Sequence, residues 1–238
     1  MSDRIISTEN ASKNEPTEAA QALYEAARPS VGNIVASHYD RGKQVMGSAG
    51  SGFFVRSSSD NADIGQCEMV TDNHVIHIDD KLKVELEVTL NDGSKHKANI
   101  LKQDPAHDLA FIKVLEIADP STQCAPLTIS DEQLKVGDET VRLSRTRWDP
   151  EFKVGSFQRT GKRRDQELPE LAGEDKNRDF LIFDTYNSVG HQYSGGPYID
   201  KSGKVVAIHE GGQSSDVSLA TPAKDLKEQL DALHQNKS

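Results

Sequence analysis

The chain has 238 residues with 28 basic and 38 acidic side chains, a formal charge of −10. That balance argues against a nucleic-acid partner, whose affinity comes mainly from neutralising phosphates. Its 35% hydrophobic content suits one large all-β domain or two small barrels, and two cysteines exclude a small disulfide scaffold. No apolar run reaches the roughly 18 residues of a membrane helix, so no membrane partner is expected.

Residues 1–28 read as a polar amino-terminal segment ending in a short helix. Ser, Asn, Glu and Lys dominate up to about residue 17, where disorder is expected. From Thr17 to Arg28 alanine and glutamate favour helix, and Pro29 ends it. The amino terminus lacks the apolar core of a secretory signal. As given, the chain reads as cytoplasmic; with a signal removed beforehand it would be periplasmic or secreted.

Residues 29–118 read as a first β-barrel carrying His74 and Asp108. Short apolar runs at residues 34–36, 52–55, 68–70, 84–90, 98–101 and 109–115 are separated by turn formers at 57–61, 91–94 and 104–105. Asn91-Asp92-Gly93 is a hairpin signal, and residues 83–89 alternate as in a strand with one buried face. Asp119-Pro120 and Ala125-Pro126 mark a linker, residues 119–127. Residues 128–222 read as a second barrel carrying Ser194, with strands near 139–143, 153–159, 180–183, 197–199, 205–209 and 217–220. The polar stretch 161–179 is long for a loop, hence mobile or functional, and Lys162, Arg163 and Arg164 within it read as solvated. Residues 223–238 are a carboxy-terminal helix and tail, with Leu226, Leu230 and Leu233 on one face. Cys67 and Cys124 either pair or remain as two buried thiols. No Cys/His grouping has zinc-ligand spacing. His77, three residues after His74, is expected to face solvent. No metal and no cofactor is expected.

Three segments bear chemistry. Val70-Thr71-Asp72-Asn73-His74 ends a buried strand on a histidine. Asp108 immediately precedes the apolar strand Leu109–Val114. Ser194-Gly195-Gly196-Pro197 sets a serine beside two glycines, which let backbone N–H groups approach a substrate carbonyl. Each segment alone has an ordinary structural reading. Together they supply an alcohol, a base whose unperturbed pKa of about 6.5 lies near neutrality, and a carboxylate to orient that base. The order His, Asp, Ser is that of chymotrypsin rather than of α/β-hydrolases, and the crossover helices of an α/β fold are missing.

Gly50-Ser51-Gly52-Phe53-Phe54-Val55, residues 70–76, residues 108–114 and Ser194-Gly195-Gly196-Pro197 together resemble the trypsin-like peptidase domain of HtrA/Deg proteases, from about residue 18 to 232. The resemblance implies an all-β, chymotrypsin-like double β-barrel that works as a serine endopeptidase on protein or peptide substrates. His74 is then the general base, Asp108 its orienting carboxylate and Ser194 the nucleophile. The oxyanion would be held by the amides of Gln192 and Ser194. The family also implies a homo-oligomer, a trimer. It usually carries a carboxy-terminal PDZ domain, and this chain reads as the protease domain without one.

The pattern departs from the family at two places. Gln192-Tyr193 stands where Gly-Asn or Gly-Asp is usual, and Ser144-Arg145-Thr146-Arg147 replaces a Gly-Asn-Pro. The alternative expectation is therefore a catalytically impaired binding or regulatory module, or a protease switched through segments 144–147 and 161–179. Ile208-His209-Glu210-Gly211-Gly212 resembles the Ile-His-x-Gly-Gly of glutamyl endopeptidases, which implies as an alternative an acidic specificity with His209 helping to bind the acidic side chain, but Val189 stands where those enzymes have Thr or Ser. A small apolar specificity pocket lined by Val189, His209 and Gly211 is expected, with His209 in a structural role.

Overall fold

The structure is a computed structural model, and it describes residues 17–56, 66–146, 150–165, 171, 173–185, 192–212 and 217–235. The first helix, α1 (Glu18–Ala27), begins where the Thr17 hydroxyl accepts the Ala20 amide at 3.1 Å, satisfying one of the helix's orphan donors. Its Ala20, Tyr24 and Ala27 are buried, and the Tyr24 ring stacks on Phe152 at 4.5 Å.

Six strands close the first barrel: β1 (Val31–Asp40), β2 (Lys43–Phe54), β3 (Glu68–Asp72), β4 (Lys83–Thr89), β5 (Lys95–Asp104) and β6 (Leu109–Val114). They run in the order β1-β2-β3-β6-β5-β4, and β4 pairs back onto β1. The second barrel consists of β7 (Glu139–Arg145), β8 (Pro150–Lys162), β9 (Asp179–Thr185), β10 (Pro197–Ile199), β11 (Val205–Gly212) and β12 (Val217–Pro222), in the order β10-β11-β12-β9-β8-β7. All of the strand ladders are antiparallel. The chymotrypsin-like double barrel read from the sequence is therefore the fold. Closure removes the exposed sheet edges that open sheets must protect.

Separate apolar clusters fill the interior. Ile34, Phe54, Met69, Leu86, Val88 and Ile112 pack in the first barrel, and Phe157, Phe183, Tyr198 and Ala207 in the second. A third cluster crosses between them, joining Phe53, Val70 and Phe111 to Val141, Leu143 and Ile208. The carboxy-terminal helix α4 (Ala223–Gln235) adds Leu226, Leu230 and Leu233 to that cluster, as its apolar stripe predicts. It also reaches the first barrel through His234 Nε2, 2.7 Å from the buried Glu68 carboxylate. The barrels are thus joined by a shared apolar cluster, and helix α4 is tied to the first of them by a buried polar contact.

Three local features differ from the sequence reading. The linker holds a helical turn, α3 (Pro120–Gln123), started by Pro120 behind the Asp119 side chain. Cys67 and Cys124, left open between pairing and free thiols, form a disulfide. Arg163 is not solvated: it is buried and donates to Glu174. Charged letters look alike in solvent and in a buried pair, so the local pattern could not separate the two.

Candidate active site

The buried strand β3 runs directly into a single helical turn, α2 (Asn73–Ile76). The turn is tied down by its own polar groups. The Asn73 amide donates to the Asp108 carbonyl at 2.9 Å and the His77 amide to the Asn73 carbonyl at 2.8 Å. The Gln103 side-chain amide donates to Asn73 Oδ1 at 3.0 Å. These bonds hold His74 over Asp108, which sits between β5 and β6 at φ +54°, a left-handed conformation uncommon for a side-chain-bearing residue. Asp108 Oδ1 accepts the His74 backbone N–H at 2.8 Å, and Oδ2 lies 2.6 Å from His74 Nδ1. The buried carboxylate thus holds the proton on Nδ1, which leaves Nε2 as the accepting nitrogen.

Ser194 is positioned by backbone bonds on both sides. Its carbonyl accepts the Ser51 amide of β2 at 2.8 Å. The Gly195 amide donates to the His209 carbonyl and the His209 amide to the Gly196 carbonyl, each at 2.8 Å. Gly195 has φ +85°, and a Cβ there would collide with the Ser51 carbonyl and the Thr71 hydroxyl; one on Gly196 would collide with the Leu143 carbonyl. Both glycines are needed because the two barrels close on this turn. The Ser194 hydroxyl donates to the Glu210 carbonyl at 2.9 Å, and no hydrogen bond joins it to His74 among the described residues.

The two departures from the family pattern meet at Ser51. Its hydroxyl donates to the Gln192 carbonyl at 2.9 Å and accepts the Arg145 amide at 3.0 Å. Gln192 adopts φ +77°, so it takes on a backbone conformation that glycine enters at no steric cost. Such non-glycine strain is characteristic of functional turns.

Behind the pair lies a layer of buried charge. Arg178 Nη2 lies 2.6 Å from Glu174 and 2.7 Å from Glu210, its Nη1 donates to Thr221 at 2.8 Å, and its guanidinium covers the Phe180 ring at 4.2 Å. Burial, reinforced by the Asp108 charge, pushes the Glu210 carboxyl up to about 7 against the pull of Arg178. Burial alone would depress His74, but the charge and hydrogen bond of Asp108, with further negative charge at Asp72 and Glu210, push it up to about 10. Asp72 is fully buried, and neither carboxylate oxygen has a hydrogen-bond partner. Burial and then the neighbouring Asp108 raise its carboxyl well above the ordinary 3.8.

That raised pKa has a definite sign. Folding favours protonated Asp72, so the chain loses stability as pH rises above the unfolded value and through the folded one. Asp72→Asn removes the charge at nearly constant shape. It is expected to stabilise the protein by roughly 1–3 kcal/mol at pH 8, where burial penalises the carboxylate's charge, and by almost nothing near pH 3, where both side chains are neutral and equally short of partners. Thermal melts of both forms across this range check it; parallel curves would contradict it.

The sequence-derived site residues are distributed unevenly. His74 and Asp108 are in direct contact. Ser194 lies on the turn bonded to His209, while Gln192 is bonded to Ser51. His209 and Gly211 both fall on β11, with His209 buried. Val189 lies outside the described residues. The His77 side chain is 26% exposed, with Nε2 3.7 Å from Asp80. The acidic and imidazole atoms of Asp72, His74 and Asp108 all lie within 4.8 Å of one another, a spacing that the His74–Asp108 hydrogen bonds already account for. Sequence reasoning missed Ser51, Asp72, Arg142, Arg178 and Glu210. Ser51, Asp72 and Glu210 carried a signal, as members of the segments Gly50-Ser51-Gly52, Thr71-Asp72-Asn73-His74 and Ile208-His209-Glu210-Gly211-Gly212.

Comparison with known proteins agrees with the fold. A family model described as a trypsin-like peptidase domain matches residues 50–208. Serine protease HTRA4 of Mus musculus is 27% identical over 194 residues, 81% of this chain and 36% of that protein. A probable periplasmic serine endoprotease DegP-like of Bartonella henselae is 29% identical over 223 residues, 90% of this chain and 38% of that protein. The chain thus spans well under half the length of these curated relatives. Among solved structures, the Rv3671c protease from M. tuberculosis in its active form superposes with TM-score 0.70 at 22% identity, covering 92% of this chain and 86% of that one. The inactive form gives 0.67 at 21% identity, covering 92% and 96%.

Proposed function

Because the chain belongs to the trypsin-like peptidase family and is similar to HtrA-type proteases, we propose that it is a serine endopeptidase whose triad is His74, Asp108 and Ser194. The observation that carries this reading is the 2.6 Å contact of His74 Nδ1 with Asp108; a serine held on a turn that only glycines allow supports it. Ser194 leaves the Glu210 carbonyl by side-chain rotation and presents its hydroxyl to His74 Nε2. The alcohol attacks the substrate carbonyl as its proton passes to Nε2, and Asp108 stabilises the imidazolium. The amides of Ser194 and Gln192 hold the developing oxyanion. Nε2–H then protonates the leaving amine, and a water deprotonated by the same nitrogen hydrolyses the acyl-enzyme. Substrates are protein or peptide chains.

A second reading, a catalytically impaired binding module, draws on two observations: the Ser194 hydroxyl rests on Glu210 rather than on His74, and Gln192 replaces the usual glycine at φ +77°. Fluorophosphonate labelling separates the two. An active peptidase gives an adduct on Ser194 that Ser194→Ala abolishes. A folded protein that takes no label, with or without a peptide substrate analogue, establishes the second reading instead.

A further inference from the structure

Arg142 of β7 is fully buried, 0% exposed. Its Nη1 lies 3.5 Å from His209 Nε2, and its guanidinium lies 4.8 Å from the centroid of the Tyr193 ring. Among the described residues, Nε and Nη2 have no hydrogen-bond partner. These two nitrogens form the edge of the guanidinium that presents parallel N–H groups, the geometry that grips a carboxylate through two hydrogen bonds. No carboxylate of the described residues is bonded to it. Glu151 on β8 is held instead by Lys153 at 2.9 Å and by the Tyr193 hydroxyl. A buried cation without a hydrogen-bonded anion is costly, and the Glu151 charge acts on Arg142 without bonding to this edge.

The imidazole beside it cannot supply that charge. His209 Nδ1 lies 3.4 Å from the Tyr198 hydroxyl. Burial, then the Arg142 charge, hold His209 well below the ordinary histidine range. A neutral His209 lets Nη1 face it without repulsion and leaves the other edge of Arg142 buried and unpartnered. The location is specific as well. Tyr193 immediately precedes Ser194, and the His209 backbone exchanges hydrogen bonds with Gly195 and Gly196, so both residues packed against Arg142 belong to or hold the turn of the reacting serine.

We propose that Arg142, beside His209 and Tyr193, binds the carboxylate of the substrate residue just before the scissile bond, making the chain selective for cleavage after Glu or Asp. This rests on the peptidase reading and replaces the apolar pocket expected from Val189, His209 and Gly211 with a charged one.

The test uses peptides that differ only at that residue: Glu, Asp, Gln, Ala and Val. For the wild type, kcat/KM for Glu or Asp should exceed that for the isosteric Gln by roughly 100-fold or more, the scale of losing a charged bidentate partner. In Arg142→Met the Glu-to-Gln ratio should fall close to one, whatever the absolute rates, and Arg142→Lys should recover only part of it. A wild type that prefers Ala or Val, or a Met variant that lowers the Glu and Gln peptides by the same factor, overturns the proposal. If Arg142→Met does not fold, the wild-type ratio alone decides. Should Ser194 take no fluorophosphonate label, the peptidase reading fails separately. Calorimetric binding of the Glu and Gln peptides to Ser194→Ala then still tests the pocket: preference for Glu supports it, and equal binding overturns it.

Discussion

Asp108→Asn is expected to lower kcat/KM by roughly 10⁴-fold while leaving the barrels folded, the scale seen when a triad aspartate loses its charge but not its shape. Asp108 accepts two hydrogen bonds from one residue, the His74 backbone N–H at 2.8 Å and Nδ1 at 2.6 Å. An asparagine can keep its oxygen on the backbone N–H, and its amide NH₂ then faces the ring. Nδ1 must become the acceptor, the proton moves to Nε2, and the nitrogen that should accept from Ser194 is blocked. The pH profile carries a second signature. In the wild type the Asp108 charge is the strongest of the influences that hold His74 up at about 10 against burial. The active species is the free base, so activity should rise with pH along a limb lying above neutrality. Removing the charge lets burial act, and the limb of the residual activity should move to lower pH. A variant that keeps full activity, or an unmoved limb, would remove Asp108 from the mechanism.

Much of this site could be read from the chain because its three segments obey local rules. His74 follows a buried strand, Asp108 opens an apolar one, and Ser194 precedes glycines that no other residue can replace between the barrels. The strand series was legible for the same reason, since each apolar run is bounded by turn formers. What stayed hidden depends on residues meeting across the fold. The first half of β2, Lys43 to Gly47, is exposed and carries no apolar alternation to announce a strand. In β7, Val141 and Leu143 join the cluster between the barrels, whereas Arg142 pairs in register with Tyr198 and packs beside His209. Alternation alone reads Arg142 as facing solvent, because a pattern of period two cannot tell water from a polar barrel interior. The ion pairs of Arg163, Glu174, Arg178 and Glu210 were hidden in the same way. Glu174 is only 4 residues from Arg178 and 11 from Arg163, whereas Glu210 is 32 from Arg178, and nothing local marks any of them as buried.

The cysteines set the other large expectation. Cys67 stands at the head of β3 and Cys124 just after the turn α3, 57 residues apart, and the loop they close contains β4, β5, β6 and both His74 and Asp108. Opening a loop of that length returns conformational freedom to the unfolded chain, about 4 kcal/mol by the chain-entropy relation. Replacing both by alanine should therefore lower the melting midpoint by on the order of 10 °C for a protein of this size. Both residues are buried and pack in the first-barrel cluster, so the truncations add a smaller packing loss. A reductant separates the two contributions. It should lower the wild-type midpoint by most of the same amount and leave the double variant unmoved. Coincident oxidised and reduced wild-type melts would show that the bridge constrains nothing. Bonds of this kind persist in oxidising compartments, so a reductant-sensitive midpoint would favour the periplasmic or secreted branch of the sequence reading over the cytoplasmic one. It would also locate the stabilising constraint in the segment that holds the histidine against its carboxylate.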